Sequence, residues 1–216
     1  MIGHDDQLKL FEVIAKNLTK DVECYAFGGT AMMFYGHKDE TKDVDLLFVD
    51  ILERKEFIRA IEKLGFRESS LSLIYVPEKI RDPHRPLLFK NQDTRFDLFS
   101  KKIFKTVLSP TMKEDLFAVH EFRAKFTLKI NVFRSEHIVL MKAVTERDKD
   151  FEDILTILNK NKDFDWKYFV GEVVWQFRNG NEWILLDVEK MMNELKKYTF
   201  IDSQYLKMLY EVQSKG

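Results

Sequence analysis

The sequence predicts an α+β fold, with strands and helices interleaved up to residue 134 and helices alone beyond it. Three observations carry this. Residues 22–49 read as strand, glycine turn, short helix and strand. Residues 71–76 and 95–99 read as further strands, and 126–132 alternates in strand fashion. From Ser135 onward the apolar spacing is helical.

Taken in order, Leu8, Phe11, Ile14, Ala15 and Leu18 recur at helical spacing and give an opening amphipathic helix that ends near Lys20 and Asp21. A buried strand over 22–27 runs into Gly28, Gly29 and Thr30, a short helix follows over 31–35, and Gly36 stops it. Residues 37–42 read as a loop and 43–49 as the second strand. A helix over 51–64 closes at Gly65, and the proline-containing stretch 77–94 reads as a loop or irregular hairpin. After Ser109-Pro110 the pattern gives a helical stretch over 112–119. Ser135 is placed to cap a helix through Ile138, Met141 and Lys142. Further helices are expected over 151–158, 166–177, 183–197 and 203–212. The domain reading is 1–134 for a core and 135–216 for a helical C-terminal region.

Composition narrows the function classes. With 35 basic and 36 acidic residues the net charge is −1, so no global field draws in nucleic acid or an anionic membrane, and any anion site must be built locally. The single Cys24 excludes an intramolecular disulfide, and no Cys/His set has zinc spacing. The five histidines, His4, His37, His84, His120 and His137, read as ordinary surface or loop residues. No apolar stretch reaches the length of a membrane span, and the acidic N-terminus is unlike a signal peptide, so the expectation is a cytoplasmic protein without a membrane partner.

The residues that carry chemistry lie in the first part. Asp43 and Asp45, two apart on a strand, point to one face and can offer two carboxylates to magnesium, a hard ion that bridges the phosphates of a nucleoside triphosphate. Gly28 and Gly29 leave room for phosphate to approach main-chain N–H groups, and Thr30 adds a hydroxyl. Asp97 is a candidate third carboxylate, as metal ligand and as proton acceptor for an attacking hydroxyl. An ion pair with Arg95 or another base is its structural alternative.

This order resembles the DNA polymerase β-like nucleotidyltransferase superfamily, whose core motif is a Gly-Gly or Gly-Ser turn, a strand-borne Asp-x-Asp and a separate carboxylate. Here these are Gly28-Gly29-Thr30-Ala31, Thr41-Lys42-Asp43-Val44-Asp45 and Asp97. The run from Lys142 to Asp153 is similar to the second conserved region of the AbiEii-like, type IV toxin-like branch. The resemblance spans roughly residues 22–160.

It implies a polymerase β-like catalytic core with a small mixed sheet flanked by helices over 1–134, and a helical region over 135–216 that completes the cleft. The implied activity is magnesium-dependent transfer of a nucleoside monophosphate from a nucleoside triphosphate, with manganese able to replace magnesium. Implied acceptors are tRNA, a protein side chain or a small molecule, and membership of a toxin–antitoxin pair would add an antitoxin protein as partner. By position, Lys142 would contact phosphate while Arg147, Lys149 and Asp150 shape the nucleotide pocket or its helix packing. With Asp153, those last three also have the spacing of ordinary helical ion pairs. The sequence departs from the family at Asp39, where arginine is frequent, with Lys38 its nearest substitute. A catalytically idle nucleotide-binding or regulatory module on the same fold is the alternative reading.

Overall fold

The structure is a computed structural model that describes residues 1–69, 86–92, 94–145, 147–180 and 182–214. It is mixed α+β and divides into two compact units, Met1–Lys102 with Leu116–Phe133, and Ile103–Asp115 with Arg134–Gly216. The units are therefore discontinuous in sequence, because the short excursion 103–115 belongs with the C-terminal helices.

In the first unit β1 (Ile2–Gly3) leads into α1 (His4–Asn17), β2 (Val22–Ala26), α2 (Gly28–Phe34), β3 (Glu40–Thr41), β4 (Asp43–Phe48) and α3 (Ile51–Lys63). Then come β5 (Arg67–Ser69), β6 (Leu87–Asn91), β7 (Thr94–Ser100) and the short β8 (Lys102–Ile103). After the excursion, β10 (Leu116–Arg123) and β11 (Thr127–Phe133) complete the sheet. Seven strands lie in the order β10-β11-β2-β4-β7-β6-β5. The sheet is mixed, since β11 with β2 and β4 with β7 run parallel whereas the other neighbours on this path run antiparallel.

Strand alternation gives this sheet two different faces. Val44, Leu46 and Phe48 of β4 and Phe96 and Leu98 of β7 join Phe11 and Ile14 of α1 and Phe57 and Ile61 of α3 in one buried cluster. The intervening residues Asp43, Asp45, Arg95 and Asp97 are consequently turned to the other face. Asp50 starts α3 by accepting a 2.7 Å hydrogen bond from the Leu52 amide, a standard N-cap.

Several elements differ from the sequence reading. Gly28, Gly29 and Thr30 form the first turn of α2 rather than preceding it. Part of the expected loop 37–42 is β3, which pairs with β1. Within the stretch 77–94, residues 87–91 form a regular strand closed onto β7 by a tight turn at Gln92, whose φ is 32°. The expected strand 71–76 lies outside the described residues. The helix expected over 112–119 stops at Glu114, and β10 follows immediately. Ser109 and Pro110 do start a helix there, but from Leu116 side-chain exposure alternates, and β11 supplies the hydrogen-bonding partner.

The second unit holds β9 (Thr106–Val107), α4 (Pro110–Glu114), α5 (Ser135–Ala143), α6 (Asp148–Lys160), α7 (Trp166–Arg178), α8 (Ile184–Leu195) and α9 (Ser203–Gln213). Ser135 is the first helical residue of α5 and not its cap, which is Arg134 without a side-chain cap bond. All nine residues of α5 are buried, so its polar side chains need partners. Glu136 pairs with Arg134, His137 bonds the Tyr168 hydroxyl at 2.9 Å, and Lys142 bonds two aspartates.

His137 corrects the expectation of surface or loop histidines. It is fully buried, and His120 is half-buried with its ring stacked 4.3 Å from that of Phe34. His84 lies outside the described residues. Burial, reinforced by the nearby Arg134 charge, pushes the His137 imidazole down to about 4. Its unfolded value is ~6.5, so between those limits the unfolded state binds more protons. Stability is therefore complete above ~6.5 and falls as the pH drops, by on the order of 3 kcal/mol at the lower limit. Urea unfolding at about pH 7.5 and about pH 5 checks this. Wild type should lose on the order of 2 kcal/mol more across that interval than His137→Gln, and an identical loss in both proteins contradicts the assignment.

Candidate functional site

The site grows out of one register. Strands β4 and β7 run parallel with Asp43 opposite Arg95 and Asp45 opposite Asp97, which puts three carboxylates and one guanidinium on a single sheet face. Arg95 bridges the strands. Its Nη2 forms an ion pair with Asp43 Oδ2 at 2.8 Å and donates to Asp97 Oδ2 at 2.9 Å, while Nε donates to Asp97 Oδ1 at 2.7 Å. Burial works against the Arg95 cation, but the Asp97 hydrogen bonds and the charges of Asp97, Asp43 and Asp45 more than offset it and raise its pKa. The side chains of Asp43 and Asp97 are 32% and 15% exposed and that of Arg95 is 40% exposed, so the cluster is open to solvent on one side.

The start of α2 closes against this cluster. Gly28 has a φ of +55°, and a Cβ there would collide with the Asp45 carboxylate. A Cβ on Gly29 would collide with the Thr41 hydroxyl, which itself donates to the Asp43 carbonyl at 3.1 Å. Two glycines are thus required for the helix to touch both β3 and β4. The Gly29 amide donates to Asp45 Oδ2 at 3.3 Å, satisfying one of the N–H groups that a helix start leaves open. Thr30 is fully buried, and its hydroxyl accepts from the Asp45 amide at 2.8 Å. Its role in the structure is to position Asp45.

Magnesium takes oxygen ligands, and Asp43, Asp45 and Asp97 match it in donor chemistry and in sharing one sheet face beside the glycine start of α2. Among the described residues no three His, Cys, Asp or Glu side chains stand gathered as a ready metal set. Arg95 is a cation that neighbours both Asp43 and Asp97.

The second unit contains another cation between carboxylates. Lys142, 7% exposed, donates to Asp150 Oδ1 at 2.8 Å and Asp153 Oδ2 at 2.7 Å. The other Asp150 oxygen accepts from Thr145 Oγ1 and Arg147 Nε, each at 2.6 Å. Burial alone would raise the Asp150 pKa, but Lys142, Thr145 and Arg147 together hold it below the usual carboxylate range. Lys142 and Arg147 line a cleft of about 550 Å³ with Phe151, Lys190, Glu194 and Tyr198. Lys149 is exposed on α6.

The sequence-derived residues thus fall into two groups. Gly28, Gly29, Thr30, Asp43, Asp45 and Asp97 meet in the first unit. Lys142, Arg147 and Asp150 meet in the second, with Lys149 on the surface of the same helix. Sequence reasoning named Arg95 as a partner of Asp97 alone. Its ion pair with Asp43 depends on the pairing of β4 with β7, which no local pattern encodes. Thr41 was read only as part of a motif, although a polar residue two before Asp43 was a usable signal. No family model and no curated protein matches this chain. Among the described residues no helix is long and apolar enough to cross a membrane.

Two stability measurements test these assignments. Gly28→Ala forces a positive φ on an L side chain and displaces the Asp45 carboxylate, so denaturant unfolding should show a loss of about 1–2 kcal/mol. An unchanged midpoint would mean that the close approach of α2 to β4 is not a constraint. Asp150→Ala leaves Lys142 buried with Asp153 as its remaining carboxylate partner, and should cost about 3 kcal/mol by the same assay. A loss below about 1 kcal/mol, the range of exposed pairs, would show that this cluster is not a buried brace.

Proposed function

We propose that the protein is a magnesium-dependent nucleotidyltransferase of the polymerase β-like type, AbiEii-like in its second motif. The single observation that carries this reading is the register that sets Asp45 opposite Asp97 with Asp43 beside them, against the glycine start of α2. In the reaction an acceptor hydroxyl or phosphate oxygen bonds to the α-phosphorus of a nucleoside triphosphate. The bond from that phosphorus to the bridging oxygen breaks, and pyrophosphate leaves.

Asp43, Asp45 and Asp97 are the residues that would hold magnesium, or manganese in its place. When bound, the ion neutralises and orients phosphate oxygens as charge develops on them. Asp97, held on a strand and turned towards the cluster, accepts the proton of the attacking hydroxyl. Gly28 and Gly29 let the start of α2 come close to Asp45 and Thr41, and Thr30 fixes the backbone of Asp45. The resemblance assigns Lys142, Arg147, Lys149 and Asp150 to the nucleotide pocket; of these, Arg147 and Lys149 are exposed cations. The acceptor classes are tRNA, protein and small molecules, with a toxin role implying an antitoxin partner.

A second reading, a catalytically idle nucleotide-binding module, is favoured by the Arg95 bridge, which already engages two of the three carboxylates. Incubation with each α-labelled nucleoside triphosphate, magnesium and a panel of total tRNA, protein and small acceptors separates the two. Wild type should transfer label, and the double variant Asp43→Asn, Asp45→Asn should be slower by at least about 100-fold. Nucleotide binding without transfer selects the idle module. Equal transfer by both proteins removes the site assignment.

A further inference from the structure

Arg95 is placed unlike an ordinary surface ion-pair partner. It stands in register with Asp43 on the neighbouring strand and two residues from Asp97 on its own, so one planar fork engages carboxylates from both strands. Both Asp97 oxygens face that fork. Three carboxylates and one guanidinium leave a net charge of −2 at the cluster, the charge that one divalent cation balances. A divalent cation drawn to the same oxygens meets the guanidinium at close range, where like charges repel. Arg95 also has room to leave, because 40% of its side chain is exposed and its long stem can rotate towards solvent.

We propose that Arg95 is an exchangeable counter-cation, which clamps Asp43 to Asp97 in the metal-free protein and is displaced when a divalent cation takes those carboxylates. Arg95 thereby sets the metal affinity of the site. The inference rests on the metal-site reading given under Proposed function, and goes beyond it by naming the internal group that competes for the ligands. A purely structural brace predicts the opposite sign, since removing it would loosen the carboxylates and weaken metal binding.

The test is manganese binding to the full chain without nucleotide, followed by the loss of the free-ion electron paramagnetic resonance signal. The proteins are wild type, Arg95→Gln, Arg95→Lys, Asp45→Asn and the double variant Arg95→Gln, Asp45→Asn. Arg95→Gln should bind manganese about tenfold tighter than wild type, the scale of a lost charge-assisted hydrogen bond. Arg95→Lys, which keeps the charge but loses the fork, should fall between them. The double variant should lose the gain. Thermal melting of each variant reports folding, and Arg95→Lys carries the test if the glutamine variant does not fold. Binding that depends on Asp45 but is equal or weaker in the Arg95 variants overturns the exchange and leaves the metal site standing. If no protein shows Asp45-dependent binding, the metal reading fails and the exchange with it.

Discussion

Three carboxylates on one sheet face are a liability that the first unit has to resolve before it can do anything else. Carboxylates on adjacent strands in register are separated by about a strand spacing, ~5 Å, and at an effective dielectric of ~20 each such pair repels by about 3 kcal/mol. The register itself is imposed from the opposite face, where Val44, Leu46, Phe96 and Leu98 are buried against α1 and α3. A one-residue slip would drive the aspartates into that core. The core therefore forces the charges together, and Arg95, ion-paired to carboxylates of both strands, partly compensates them.

The same economy governs the helix that abuts the cluster. A seven-residue helix has little intrinsic stability, so α2 is held by what its ends touch. Gly28 and Gly29 remove the side chains that would keep it away from Asp45 and Thr41, and Thr30 ties it to the β4 backbone. Asp45 then works twice, as an acceptor for the Gly29 amide and as one wall of the charged face. In the second unit α5 meets a related demand by a different route. It is buried along its whole length, and each of its charged side chains is matched by an opposite charge.

Much of this was legible in the sequence where burial is one-sided. Branched and aromatic content identified β4, strand-like alternation identified β11, and helical spacing identified α1, α3 and the C-terminal helices, most of which present one apolar face to a core. The reading failed where a local signal was true but short. Ser109 and Pro110 start α4, yet the apolar residues that follow belong to β10, whose pairing with β11 outweighs a weak helical preference. Strand β6 was hidden in a stretch read for its prolines, although they lie before Leu87 and leave the strand itself uninterrupted. The order of Gly28, Asp43, Asp45 and Asp97 was visible, as was the run from Lys142 to Asp153. The double engagement of Arg95 was not, because it follows from a pairing between segments about fifty residues apart.

The two charged clusters share a form, a cation held between two aspartates, and differ in the property that decides what each can do. Lys142 is 7% exposed, its partners Asp150 and Asp153 are 7% and 14% exposed, and a buried charge that loses its partner is expensive to leave unpaired. That cluster is fixed, and it braces α5 to α6. Arg95 is 40% exposed, with Asp43 at 32% and Asp97 at 15%, so water reaches the guanidinium, and its exposed pair with Asp43 contributes little, about 0–1 kcal/mol. Such a pair can be given up at low cost when a better cation arrives. The cluster best suited to hold the fold is therefore the one in the second unit, and the cluster best suited to exchange its cation is the one beside Gly28.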